Sequence, residues 1–294
     1  MTQPNPEVAA AAVSPGAGAS HYDKDQPSEE TSFLGYLRDW ADALVIAFVV
    51  AMFIRMFVVE LFKIPSGSMS PTLLGDWVAQ GTAADSDGDS HEYLLILDPS
   101  SELVQVFQKK ENGAWDYQGR EPSFALSASQ KVLLQSKIHR EEHRILVNKF
   151  AYWFKKPDRG DIVIFRVPFK QDPKPYSRNG VTIPGHPYNR NESVYVKRAV
   201  AFAGEEVSIR PDQHLYINGK AVTDPVIISR LQYVRPNGND YDITVPKEHL
   251  VVLGDNSDNS LDSRYWGPLP LNNLRGKAVL RYWPFKDKWF LSPR

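Results

Sequence analysis

Phe62-Lys63-Ile64-Pro65-Ser66-Gly67-Ser68-Met69-Ser70-Pro71-Thr72-Leu73 stands where an apolar run ends and a polar, strand-rich remainder begins. Ser68 lies between Gly67 and Met69, and Pro65 and Pro71 bracket the segment, so its backbone cannot be regular helix. A hydroxyl on a stiff, irregular connection suits a nucleophile. A Pro/Gly/Ser turn leaving a membrane is the other reading of the same residues.

On the N-terminal side, every residue from Ala43 to Ile54 is apolar, and the run continues to Phe62 with only Arg55 and Glu60 interrupting it. The uninterrupted part falls short of the roughly 20 residues that a bilayer span needs, and Arg55, able to snorkel to the interface, supplies the missing length. A cleaved secretory signal fits less well, because the tail before it is long, Asp39 and Asp42 flank it, and no small-x-small site follows. The reading is therefore a disordered tail over 1–37, poor in large apolar residues to about Thr31, then a transmembrane anchor helix over 38–62. Lys24 and Arg38 face seven acidic residues before Ala43, so loop charge gives no orientation.

On the C-terminal side, residues 63–294 read as mainly β: antiparallel twisted sheets or a partly open barrel. The strands expected are Glu92–Asp98, Leu103–Lys110, Arg144–Phe150, Ile162–Arg166, Ser193–Ala201, Glu206–Arg210, Leu215–Asn218, His249–Leu253 and Ala278–Trp283, with turns between them. Glu111-Asn112-Gly113 reads as a hairpin turn, and the spacing of Val132, Leu133, Leu134 and Ile138 predicts a helix from Ser127 to about Glu142. A formal charge of −1 provides no global field for nucleic acid, and the absence of cysteine excludes disulfides and thiol catalysis.

Two stretches imitate metal sites. Asp85-x-Asp87-x-Asp89 opens like a calcium loop, but Ser90 stands where glycine is required and Ile96 where the bidentate glutamate belongs. His139-x-x-Glu142-His143 matches an inverted zinc-peptidase pattern; His143 falls where helix gives way to strand, so a solvated helix end is the better reading. No metal or cofactor is called for.

A candidate nucleophile needs a base. In Tyr195-Val196-Lys197-Arg198-Ala199-Val200, strand alternation puts Tyr195, Lys197 and Ala199 on one face and sends Arg198 to water. A lysine held inward among apolar groups loses its charge to desolvation and can then accept a proton; an edge-strand lysine in water is the plainer reading of this hexamer alone. Gly254-Asp255-Asn256-Ser257-Asp258-Asn259-Ser260-Leu261-Asp262-Ser263-Arg264 is too dense in polar residues for a passive turn, and Asp262 with Arg264 can pair as a buried buttress.

Together, Ile64–Leu73 after an apolar run, Arg159-Gly-Asp-Ile-Val-Ile-Phe165, Tyr195–Val200 and Gly254–Arg264, in that order, resemble the bacterial type I signal peptidases. The resemblance implies a membrane-anchored serine endopeptidase that removes signal peptides from exported preproteins after small-x-small sites. It implies Ser68 as nucleophile and Lys197 as general base, the Ser68 amide and the Ser66 hydroxyl as oxyanion donors, and Ser260, Asp262 and Arg264 as site support. Phe62, Ile64, Met69, Leu73, Tyr195 and Val196 resemble the lining of the family's substrate pockets. The implied partners are preprotein signal peptides, the lipid bilayer and the protein-export machinery, at the bacterial inner membrane with the catalytic domain outside the cytoplasm.

Two departures stand out. Residues 77–142 form an insertion in a segment that is continuous in the family, at a surface turn whose ends should lie together. Between Ala201 and Leu253 little room is left for an extra domain. The Ser/Lys pair also resembles self-cleaving repressors, but these need a helix-turn-helix and no anchor. A membrane-tethered β module without catalysis would have no reason to keep the three polar stretches together.

Overall fold

The computed structural model describes residues 33–285, 290 and 291, except 86, 99–101, 168–175, 179–180, 184–193, 225–227, 229–230 and 236–240. Most of the tail expected over 1–37 thus lies outside the described residues. The chain divides into two units, 1–50 and 51–294.

Helix α1 (Phe33–Phe53) begins earlier than expected and continues as one wide turn, Ile54–Val58. Gly35–Val58 has a mean hydropathy of 2.3 and buries none of its length in the structure, so it is long and apolar enough to cross a membrane. The helix does not reach Phe62. Val59–Lys63 is instead strand β1, because these residues find a ladder in the second unit: Val59 pairs with Asn148 and Lys63 with Arg144. Strand pairing satisfies the backbone here and overrides the apolar run's helical continuation.

The second unit is mainly β, as the alternation predicts. Its strands are β2 (Gly75–Ala84), β3 (Ser90–Asp98), β4 (Leu103–Lys109), β5 (Trp115–Pro122), β6 (His139–Glu142), β7 (Arg144–Asn148), β8 (Ile162–Arg166), β9 (Tyr176–Arg178), β10 (Val181–Ile183), β11 (Val194–Phe202), β12 (Glu206–Ile209), β13 (Leu215–Ile217), β14 (Lys220–Ala221), β15 (Tyr241–Thr244), β16 (His249–Leu253), β17 (Leu269–Pro270) and β18 (Leu274–Trp283). An open antiparallel sheet in the order β1-β7-β18-β8-β11-β16-β17 carries the site, with bulges in β11 and β18 that bend it. Ile162 and Ile164 of β8 enter a core with Ile64, Met69, Leu73, Ile145 and Val147. Val163 and Phe165 enter another with Ala199, Leu250 and Val252. Both faces of the central strands are therefore covered.

The 77–142 segment is a folded layer. Its sheet runs β5-β4-β3-β2-β6, and helix α2 (Ala128–Lys137) lies across one face, started by a capping box between Ser127 and Gln130. Leu126, Leu133 and Leu134 pack on Ala79, Leu95, Val104 and Val106. On the other face, Val78, Leu94, Ile96 and Phe107 enclose Leu74, which belongs to the Ser68 segment. The ends do lie together: Gly75 pairs with Glu142, and the Leu74 amide donates to His143 Nδ1 at 3.0 Å.

The helix stops at Lys137, short of the expected Glu142, and His139 lies on β6. His143 is buried rather than solvated, and both histidines point Nε2 at the Glu141 carboxylate, at 3.3 and 3.1 Å. The sequence interval between β11 and β16 also holds more structure than expected. Sheet β14-β13-β12-β15 fills it, with a core of Val207, Ile209, Leu215, Tyr233 and Tyr241.

Candidate active site

The Ser68 segment leaves β1 through Ile64, whose amide donates to the His143 carbonyl at 2.8 Å. Ile64, Met69 and Leu73 are buried and pin it to the core, while Gly67–Met69 makes one 3-10 turn closed by the Ser70 amide on the Gly67 carbonyl. Ser68 itself stays half-exposed. A Cβ at Gly67 would lie 1.5 Å from an Asp76 carboxylate oxygen, so a side chain there would displace Asp76. Burial raises the Asp76 carboxyl to about 6, against the pull of the Ser70 hydroxyl, which donates to it at 3.2 Å.

Lys197 sits in the middle of β11 and is 3% exposed. Its Nζ lies 2.6 Å from Ser68 Oγ and 3.1 Å from the Val196 carbonyl, and 5.3 Å from the centroid of the Tyr195 ring. Burial pushes the ammonium down to about 8; Asp262 and Asp255 oppose this, and Arg264 adds to it. The arrangement gives a lysine that loses its proton within reach of a hydroxyl, which is what general-base activation of a nucleophile requires.

The Gly254–Arg264 loop closes over this pair. Gly254 must lack a side chain, since a Cβ would stand 2.5 Å from the Ser68 carbonyl oxygen and 2.1 Å from Ser260 Oγ. Asp262 accepts from the Gly254 amide at 2.9 Å and from Arg264 Nε and Nη2 at 2.8 Å each. Burial alone would raise the Asp262 carboxyl, yet the Arg264 guanidinium and these donors hold it below the usual range. Arg264 also reaches the carbonyls of Val234 and Ser257. Ser260 Oγ is buried and lies close enough to the Asp262 carboxylate to help hold it ionised, and among the described residues no hydrogen bond joins it to Lys197. The Ser66 hydroxyl belongs to an exposed residue just before the turn.

The six expected pocket residues fall into two groups. Phe62 and Val196 lie half-exposed over the core that buries Ile64, Met69 and Leu73. Tyr195 belongs to the other core, against Phe165.

Arg198 does not face water. It donates through Nε and Nη2 to both oxygens of Asp255, at 2.7 and 2.5 Å, and through Nη1 to the Gly160 carbonyl at 2.7 Å. Alternation sends its side chain away from Lys197 as expected, but that face is covered as well. Gln105 escaped the sequence reading because its partner Asn256 is 151 residues away; Asn256 was read only as part of a polar loop, and the role of Asp76 was not read, although its partner Ser70 is six residues off.

The sequence profile described as "Signal peptidase, peptidase S26" matches residues 37–101 and 134–283. It passes over 102–133, a shorter stretch than the insertion expected. Thylakoidal processing peptidase 1 of Arabidopsis thaliana is 37% identical over 142 residues, covering 48% of this chain and 37% of that protein. Signal peptidase I of Leptolyngbya laminosa is 32% identical over 150 residues, 51% of this chain and 64% of its own. Signal peptidase I of Bacillus caldolyticus is 31% identical over 152 residues, 49% and 71%. The chain therefore spans between about a third and two thirds of the length of the first two.

Proposed function

The chain belongs to the signal peptidase family, peptidase S26, and from that premise we propose that it is a membrane-anchored serine endopeptidase that cleaves signal peptides from exported preproteins after small-x-small sites. The observation that carries this reading is the 2.6 Å approach of Lys197 Nζ to Ser68 Oγ inside a desolvated strand. Neutral Lys197 takes the Ser68 proton as Oγ attacks the scissile carbonyl. The tetrahedral oxyanion is met by the Ser68 amide and the Ser66 hydroxyl. Collapse gives the leaving amine the proton from Lys197 and leaves an acyl ester on Ser68, and a water activated by the same lysine hydrolyses it. Asp262 and Arg264 hold the loop that covers the lysine, and Ser260, buried in that loop, orients the amine when substrate arrives.

Strand β1, at the edge of its sheet among the described residues, offers backbone groups to an extended substrate, which makes recognition tolerant of sequence. Phe62 and Val196, over Ile64, Met69 and Leu73, favour small side chains, and Tyr195 bounds the site from the Lys197 face of β11. Gly35–Val58 spans the membrane, with the catalytic unit outside the cytoplasm, where preproteins emerge from the export machinery. Incubating the detergent-solubilised full chain with a preprotein carrying an Ala-x-Ala site, and sequencing the product's N-terminus, tests the reading. A preprotein left whole by wild-type protein over a pH range of 7 to 10 overturns it.

A further inference from the structure

We propose that Gln105, in the stretch over which the family's profile passes, is a positioning residue that aims the Ser68 amide by way of Asn256; the inference rests on the peptidase reading above. Gln105 is 6% exposed in the middle of β4, between Val104 and Val106, whose side chains pack toward α2. A buried amide in a strand must find partners, and this one finds them 151 residues away. Gln105 Nε2 donates to Asn256 Oδ1 and Asn256 Nδ2 donates to Gln105 Oε1, both at 2.8 Å.

The direction of this pair is forced. Asn256 Nδ2 also donates to the Gly67 carbonyl at 3.0 Å, which can only accept, so Asn256 cannot flip, and Gln105 must present its oxygen and nitrogen in matching order. The Asn256 backbone amide donates to the Ser68 carbonyl at 3.2 Å. Asn256 therefore grips a carbonyl on each side of the nucleophile. The Gly67–Ser68 peptide is planar, so fixing the Gly67 carbonyl fixes the Ser68 N–H in the opposite direction. That N–H is the donor assigned to the oxyanion. A second bridge, from Tyr117 Oη on β5 to Asp258 Oδ2 at 2.7 Å, seats the same hairpin on the same loop.

The consequence is a transition-state effect. Loosening the Ser68 amide weakens a contact made to the oxyanion and not to bound substrate, so kcat falls and KM stays. The experiment uses the full chain in detergent and a preprotein with an Ala-x-Ala site. Gln105→Leu, and Gln105→Glu should the first misfold, are expected to lower kcat about 10- to 100-fold with KM unchanged. The Gln105→Leu/Asn256→Ala double variant should be no slower than Asn256→Ala alone. Val104→Ala, on the same strand but facing α2, should lower Tm and leave kcat as it is. The NMR amide resonance of Ser68 should move in Gln105→Leu and not in Val104→Ala. Folded Gln105 variants with wild-type kcat, losses that add to those of Asn256→Ala, or an unmoved Ser68 resonance overturn the inference. A wild-type chain that cleaves nothing sinks the peptidase reading instead, and the resonance still decides whether Gln105 aims the amide.

Discussion

Arg198 and Asp255, 57 residues apart, meet as a bidentate pair in which both side chains are almost wholly buried. Arg198 adjoins Lys197 on β11, and Asp255 opens the loop that covers Ser68, so the pair clamps the strand of the candidate base to that loop. Thr72 Oγ1, 3.4 Å from Arg198 Nη2, brings the Ser68 segment into the same clamp.

Removing one partner leaves a buried charge unmatched. Arg198→Met should cost about 3–5 kcal/mol in the free energy of unfolding, whereas Arg198→Met/Asp255→Leu should recover most of that loss. Denaturant midpoints of the three proteins check this, and a single variant as stable as wild type would contradict the clamp.

Ser68 and Lys197 act as a unit in the proposed mechanism. Ser68→Ala and Lys197→Ala should each abolish cleavage, with the double variant no worse than either. Lys197→Arg should be equally inactive, because a guanidinium does not give up its proton. More than a few per cent of wild-type cleavage in Lys197→Ala would remove the lysine from the mechanism.

The base must be neutral, so the rate should rise with pH through about 8, where burial places the Lys197 ammonium. Stability follows the same group. From about pH 8 up to 10.5 the unfolded lysine holds a proton that the folded one has lost, so the folded state gains stability as pH rises through that window. Below it, the buried ammonium is a standing cost of at most about 3 kcal/mol. Lys197→Met should therefore be inactive yet melt higher than wild type at pH 7, and a lower melting temperature would refute the desolvation argument.

Asp76 gives the opposite slope. Its folded carboxyl titrates near 6 and its unfolded one near 3.8, so the folded state binds the extra proton between these values and loses stability as pH rises from about 4 to 6. Asp76→Asn keeps an acceptor for Ser70 and should flatten that slope. Melting curves at pH 4, 5 and 6 decide, and equal slopes in both proteins would count against it.

Trp153 and Phe154 are exposed, and they follow Lys149, whose amide and ammonium bond the carbonyls of Val58 and Met56 where the apolar run enters β1. Trp283 and Phe285 lie toward the other end of β7, across from Arg144. If the proposed span anchors the chain, the first group, next to where the apolar run enters β1, is the one expected to meet a bilayer. Phe154→Ser in the full chain should slow cleavage about 2- to 10-fold in anionic vesicles and not in detergent. The same rate in both media would mean that this aromatic pair takes no part in seating the enzyme.

Much of the site was legible because consecutive residues encode it. A serine trapped between prolines and glycine cannot sit in a regular helix, alternation puts Lys197 on the face of Tyr195 and Ala199, and Asp262 lies two residues from Arg264, within reach of a local pair. Strand positions were read from the same alternation, and most ends came within two residues.

What the sequence left undecided needed a partner from elsewhere in the chain. Val59–Lys63 is apolar enough to prolong a helix and becomes strand only because β7 offers it a ladder. Arg198 reads as solvent-facing until its face of β11 is found covered and Asp255 is found there. Gln105 is an ordinary strand residue until Asn256 arrives from 151 residues away. Local propensity and periodicity are properties of neighbours in sequence and determine which segments are helix or strand. Which polar side chain is buried, and so must be paired, is determined by packing, and only the folded chain brings those partners together.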